Sequence, residues 1–195
     1  MAARMNHLSL ALVPVAALVW ALPGCDDKAP EPTDTHQTVK LAGKSFKLEL
    51  ALDDEKRFKG LSFRNDIPAD GGMLFVFTDR GTRVQNFVMR DCAVPIDIIY
   101  LDPAGRITAM HAMTPEPPRG EGEKENSAPF AGAPEWAWTN ARYEARLKQY
   151  SSRYAAQFVI ELKGGTLEEL KKADAKFKEG AKVELPIESL KKRAK

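Results

Sequence analysis

From residue 38 onward the hydrophobic positions fall at intervals of two. Phe46, Leu48 and Leu50 alternate with Lys47 and Glu49 over residues 45–52, and a β-prone stretch at 38–41 precedes them across Gly43-Lys44. This pattern predicts a hairpin with one wet face. Asp53 or Asp54 is placed to cap a short helix over 55–61, in which Phe58 and Leu61 lie three apart. Residues 73–77 and 95–101 are apolar on both faces and predict interior strands. A further strand is expected between them at 84–90, and Asp102-Pro103-Ala104-Gly105 turns the chain into another at 106–113. The gaps are too short for crossovers of a dozen residues, so antiparallel pairing is expected.

Residues 114–134 (TPEPPRGEGEKENSAPFAGAP) show no apolar period and read as a surface excursion, mobile or covering a ligand. The excursion extends to about 150 and includes a helix capped by Thr139 or Asn140, with Tyr143, Leu147 and Tyr150 on one face. A strand over 154–162 follows. Thr166-Leu167-Glu168-Glu169 fits a capping box opening a helix with Leu167, Leu170 and Phe177 inward. A short strand at 183–185 closes the fold, and the basic end at 188–195 is expected to fray. Together these elements predict an α+β fold, mainly antiparallel sheet with about three short helices, in an arrangement that allows the sheet to curl toward a barrel.

The first 25 residues follow a different pattern. Arg4 precedes an apolar run over 8–22 broken only by Ser9 and Pro14, too short for a comfortable spanning helix and right for a signal-peptide core. The run ends in Leu22-Pro23-Gly24-Cys25, which resembles a bacterial lipobox. That resemblance implies cleavage before Cys25, acylation of its thiol, and residence in the cell envelope; Asp26 resembles a signal for the periplasmic side of the inner membrane. Residues 25–37 then form the acylated cysteine and a flexible tether containing Pro30, Pro32 and His36, and 38–187 form one globular domain.

Charge supports this reading. The 195 residues carry 29 Lys+Arg against 27 Asp+Glu, a net charge of +2, which excludes a dedicated electrostatic nucleic-acid binder. Removing residues 1–24, whose one charged group is Arg4, leaves 171 residues at +1. Acyl chains contribute about 0.8 kcal/mol per buried CH₂, so a nearly neutral chain needs no basic patch to stay on a membrane.

Several blocks in register carry a family resemblance: Gly60-Leu61-Ser62-Phe63-Arg64, the run from Gly72 to Phe77, the run from Asn86 to Cys92, Pro95 to Ile99, the strand from Phe158 to Leu162, and the ending from Gly180 to Val183. In order and spacing they are similar to the domain of unknown function 192 family. The resemblance implies a fold but no activity. Two departures stand out: Val88 occupies a position where many members have tryptophan, and the excursion is longer than usual.

The candidate chemistry comes from the residues themselves. Asp97 shares a strand face with Ile99 and Leu101, so its carboxylate needs a partner, and Arg64 and Arg90 are the candidates. Asn86 and Arg90 share a face with Val84 and Val88, a mixture suited to a small polar ligand. His111 lies on a face with Ile107, Ala109 and Met113. Arg64, Asn86, Arg90, Asp97 and His111 are thus the candidate binding residues. Two function classes remain open. One is a membrane-tethered module that binds a small ligand or an envelope partner. The other is a hydrolase-like or transferase-like enzyme using Asp97, His111 or Cys92, the one thiol left once Cys25 is acylated. Trp136 and Trp138 could stack on a flat ligand or pack the excursion onto the body. No metal-ligand spacing is evident, and no cofactor is expected.

Overall fold

A computed structural model describes residues 32–195. The expected signal peptide at 1–24, and Cys25 with the tether up to residue 31, lie outside the described residues. The hairpin forms from β1 (His36–Leu41) and β2 (Lys44–Ala51), with Val39 opposite Phe46. Its two-residue turn, Ala42-Gly43, has positive φ at both positions (47° and 82°), the geometry that matches strand twist in a tight hairpin. Helix α1 (Asp54–Lys59) follows, and the Lys56 N–H donates to the Asp53 carboxylate at 2.9 Å.

β3 (Met73–Val76) is buried throughout and pairs parallel with β2, the one departure from antiparallel pairing. Then come β4 (Arg83–Phe87), β5 (Ile96–Leu101) and β6 (Ile107–Met113). The excursion contains two 3₁₀ turns, Glu121–Glu123 and Glu135–Ala137, and helix α2 (Ala141–Arg146). β7 (Tyr150–Ala156), β8 (Phe158–Lys163), α3 (Thr166–Ala173) and α4 (Ile187–Arg193) complete the chain. The large sheet runs β1-β2-β3-β8-β5-β6, and β4 pairs with β7 in a separate ribbon, so the sheet does not close into a barrel. Among the described residues no helix is long and apolar enough to cross a membrane.

Period-two alternation in the central strands builds two cores, one on each face of the sheet. Leu74, Val76, Ile99, Ile160 and Leu162 are covered by Leu167 and Leu170 of α3, Leu190 of α4, and Phe177 from the segment between them. Phe75, Ile98, Tyr100 and Val159 face the other way, against Met89 and Tyr150. The two central strands approach very closely at Gly72, whose φ is 142°. A Cβ there would lie 2.2 Å from the Glu161 carbonyl oxygen, so no side chain fits.

Three expectations need correction. Residues 154–162 form two strands, because Gln157 crosses from the ribbon to the sheet: its N–H donates to Leu101 O, its carbonyl accepts from Phe77 N–H, and its amide donates to Asp79. At 182–185 there is no strand, only a bridge between Arg106 and Lys182 and a bond from Val183 N–H to Gly105 O. The basic end is helical rather than frayed. Leu190 is fully buried, Arg193 donates to the Thr33 and Asp34 carbonyls at 2.7 and 2.8 Å, and Lys195 N–H donates to Leu52 O at 2.8 Å.

Candidate functional site

On the face away from α3 and α4 a cleft of about 680 Å³ opens between α1, β4 and the excursion. Phe58 and Trp136 form one side, their rings edge to face at 5.6 Å. Phe75 and Glu161 form its floor. Two arginines in the wall are fully engaged. Arg57 donates to Val76 O, Asp54 and the Lys195 carbonyl oxygen at 2.6 to 2.9 Å, and Arg90 binds both oxygens of Glu144 at 2.6 and 2.7 Å while lying 4.4 Å over the Phe58 ring.

The excursion that shapes the outer wall is anchored, not loose. Arg119 binds both oxygens of Asp91 at 2.7 Å and lies 4.1 Å over the Tyr143 ring; Arg146 binds both oxygens of Glu123 at 2.8 and 2.9 Å. Such paired planar contacts fix geometry in a way single charges do not. Trp138 donates its indole N–H to Ala133 O within the excursion, whereas Trp136 packs on α1.

Glu161 is the anomalous residue. It is 5% exposed, preceded and followed in its strand by the apolar Ile160 and Leu162, and its Oε2 has no hydrogen-bond partner. Burial pushes its carboxyl up to about 8, with the charge of Arg64 and the Leu61 amide pulling the other way. Arg64 cannot neutralise it directly, because its guanidinium is bound to both oxygens of Glu49 at 2.6 and 2.8 Å. A buried acceptor without a partner forfeits about 1–3 kcal/mol, more when charged. An orphan of this kind inside an apolar cleft marks a place where a donor belongs.

The structure brings together only some of the residues singled out in the sequence. Asn86 and Arg90 line the cleft, and Arg64 acts on its floor through its charge alone. Asp97 does not pair with either arginine, contrary to expectation. Its side chain faces the α3 side of the sheet, where Oδ2 accepts the Leu167 N–H at 2.7 Å and the Gly165 amide adds a second bond, so it caps α3 in place of the expected Thr166 box. Burial raises its carboxyl and those two amides partly offset the rise. His111 lies between Tyr100 and Tyr150, with Nε2 2.8 Å from Ser151 O.

Cys92 lines the cleft, but burial first and the charge of Glu161 second push its thiol up to about 12, and its Sγ lies 3.4 Å from Arg90 O. It is a thiol, not a thiolate, at neutral pH. Cys92, His111 and Asp97 each meet a different partner and form no joint constellation. Among the described residues no group of three His, Cys, Asp or Glu could hold a metal ion. Glu161 itself escaped sequence reasoning because the alternation of Phe158, Ile160 and Leu162 drew attention to the other face of the strand. The available signal was that Val159, on the same face, is as apolar as its neighbours.

The chain belongs to the family described as Uncharacterized ACR, DUF192, whose profile matches residues 37–184. No match is found among curated proteins. Among solved structures, a Sinorhizobium meliloti protein described as a candidate transcription regulator is similar, with 22% identity, a TM-score of 0.53, and coverage of 80% of this chain and 95% of that one. A Novosphingobium aromaticivorans protein of unknown function is also similar, with 20% identity, a TM-score of 0.54, and coverage of 82% and 94%. At these identities the likeness concerns the fold alone.

Proposed function

We propose that this protein is an envelope lipoprotein, held through acylated Cys25 on the periplasmic side of the inner membrane, whose domain binds a small ligand in the cleft. The observation that carries the binding reading is the unpartnered Oε2 of Glu161, which lines a roomy cavity together with Phe58, Phe75 and Trp136. Asn86 and Arg90 line the same cavity, and with Arg90 committed to Glu144, Asn86 is the member of the predicted polar set left open at its wall. The enzyme reading has no such support, since Asp97, His111 and Cys92 are each occupied elsewhere.

The binding reading is tested by titrating a library of small aromatic fragments while following the Trp136 indole signal by NMR. Binders should shift that signal, and Val88→Trp, which fills the cleft from its wall, should weaken them. A library that leaves the indole unmoved would overturn the reading. For the anchor, Cys25→Ser should abolish labelling by a fatty-acid probe and release the protein from membranes; labelling that persists refutes it.

A further inference from the structure

We propose that the cleft selects an organic ammonium ion with an apolar body, its N–H donors meeting Glu161 and its body lying against Phe58, Phe75 and Trp136. This rests on the ligand-binding reading above and specifies its chemistry.

Charge accounting leads here. Each arginine at or beneath the cleft already has a carboxylate of its own: Arg57 with Asp54, Arg90 with Glu144, Arg64 with Glu49. Lys59 is exposed at the end of α1. Glu161 is the acid left over, with one oxygen unpartnered. The complement of the site is therefore one positive charge carrying N–H donors. The rings favour the same ligand, because aromatic faces attract cations by about 0.5–2 kcal/mol, more when water is excluded. Arg90 already lies over Phe58 in this way, 4.4 Å from the ring centre.

Binding is an exchange of cations. The free site holds a proton on Glu161 at neutral pH, since burial moves that carboxyl to about 8. When the ammonium enters, the proton leaves to solvent and the ion takes its place, so the buried site stays neutral in both states. The charged and titratable groups that line the cleft with Glu161 are Arg57, Lys59, Arg90, Asp54 and Cys92; the charge of Arg64 acts on it from outside the lining, and Cys92 and Tyr100, both coupled to it, are held protonated by burial. Affinity should therefore rise with pH up to about 8 and then level off.

The test is calorimetric titration of the full chain with phenethylammonium, 2-phenylethanol and phenylacetate, matched in body and differing in charge, at pH 6 and pH 8. The ammonium should bind at least about tenfold tighter than the alcohol at pH 8, and proton linkage should weaken it about 50-fold at pH 6. Glu161→Gln should erase both the preference and the pH dependence. The inference is overturned if the alcohol or the carboxylate matches the ammonium, if wild-type affinity does not change with pH, or if Glu161→Gln retains the preference. If these three probes fail while uncharged fragments still shift Trp136, the ammonium inference falls and the ligand-binding reading stands. If nothing shifts Trp136, both fall.

Discussion

Glu161 should make the domain less stable as pH rises, the opposite of an ordinary salt-bridged acid. Its carboxyl moves from the ordinary value of 4.5 to about 8 in the fold, with burial the largest cause. Between those values the folded state holds a proton that the unfolded chain has released. Stability is therefore full below about 4.5 and declines by about 1.4 kcal/mol per pH unit until the folded group ionises. Over the whole interval the loss approaches about 5 kcal/mol, an upper figure because water entering the cleft would partly solvate the ion. Acids with lowered values, such as Glu49 beside Arg64, act in the opposite direction but finish by about pH 4.5, and Cys92, raised from 9.0 to about 12, acts in the same direction as Glu161 but only from about pH 9 upward. Asp97, whose carboxyl burial also raises, acts in the same direction, so urea unfolding at constant ionic strength from pH 5 to pH 9 is compared between wild type and Glu161→Gln to isolate the effect. Wild type should lose several kcal/mol across that range. Glu161→Gln keeps the shape without the charge, so it should fall much less and end more stable than wild type at high pH. A flat wild-type profile, or a Gln variant that tracks wild type, refutes the argument.

Other outcomes follow from the same contacts. Asp97→Ala should cost about 1–3 kcal/mol by stripping the cap from α3, with faster hydrogen exchange at the Leu167 amide and partial recovery in Asp97→Asn; unchanged exchange would mean the cap is idle. Cys92 should resist alkylation at pH 7.5 until denaturant is added, as read by mapping its peptide, whereas rapid labelling of folded protein would contradict a thiol held near 12. Arg119→Gln should expose the excursion to limited proteolysis, since it removes both bonds to Asp91; unaltered cleavage would show that other contacts suffice.

Much of the fold was legible because it rests on period-two burial. The hairpin, the buried strands around Phe75 and Ile98, the Asp53 cap and the inward Leu167 and Leu170 follow from spacing along the chain, whereas Phe177 is buried beyond the end of α3 at Ala173 rather than on its face. What spacing does not carry is which distant group satisfies a polar side chain. Asp97 is correctly read as a carboxylate on an apolar face, yet its partner is a helix N-terminus 70 residues later rather than an arginine. Arg64 and Arg90 find Glu49 and Glu144 instead. Of the predicted ligand residues only Asn86 and Arg90 reach the cleft, and the floor residue Glu161 was hidden because β8 is buried on both faces, which alternation alone does not reveal.

The grip of α4 on the start of the domain sets a leash length. Arg193 fastens the carbonyls of Thr33 and Asp34, so the start of the domain is fixed to its body there. Eight residue steps separate Cys25 from Thr33, a reach under about 30 Å even when fully extended. With Cys25 acylated as proposed, the domain is moored against the lipid surface and cannot patrol the width of the periplasm. Its cleft would then sample molecules at the bilayer face, where amphiphiles with a charged head and an apolar body concentrate.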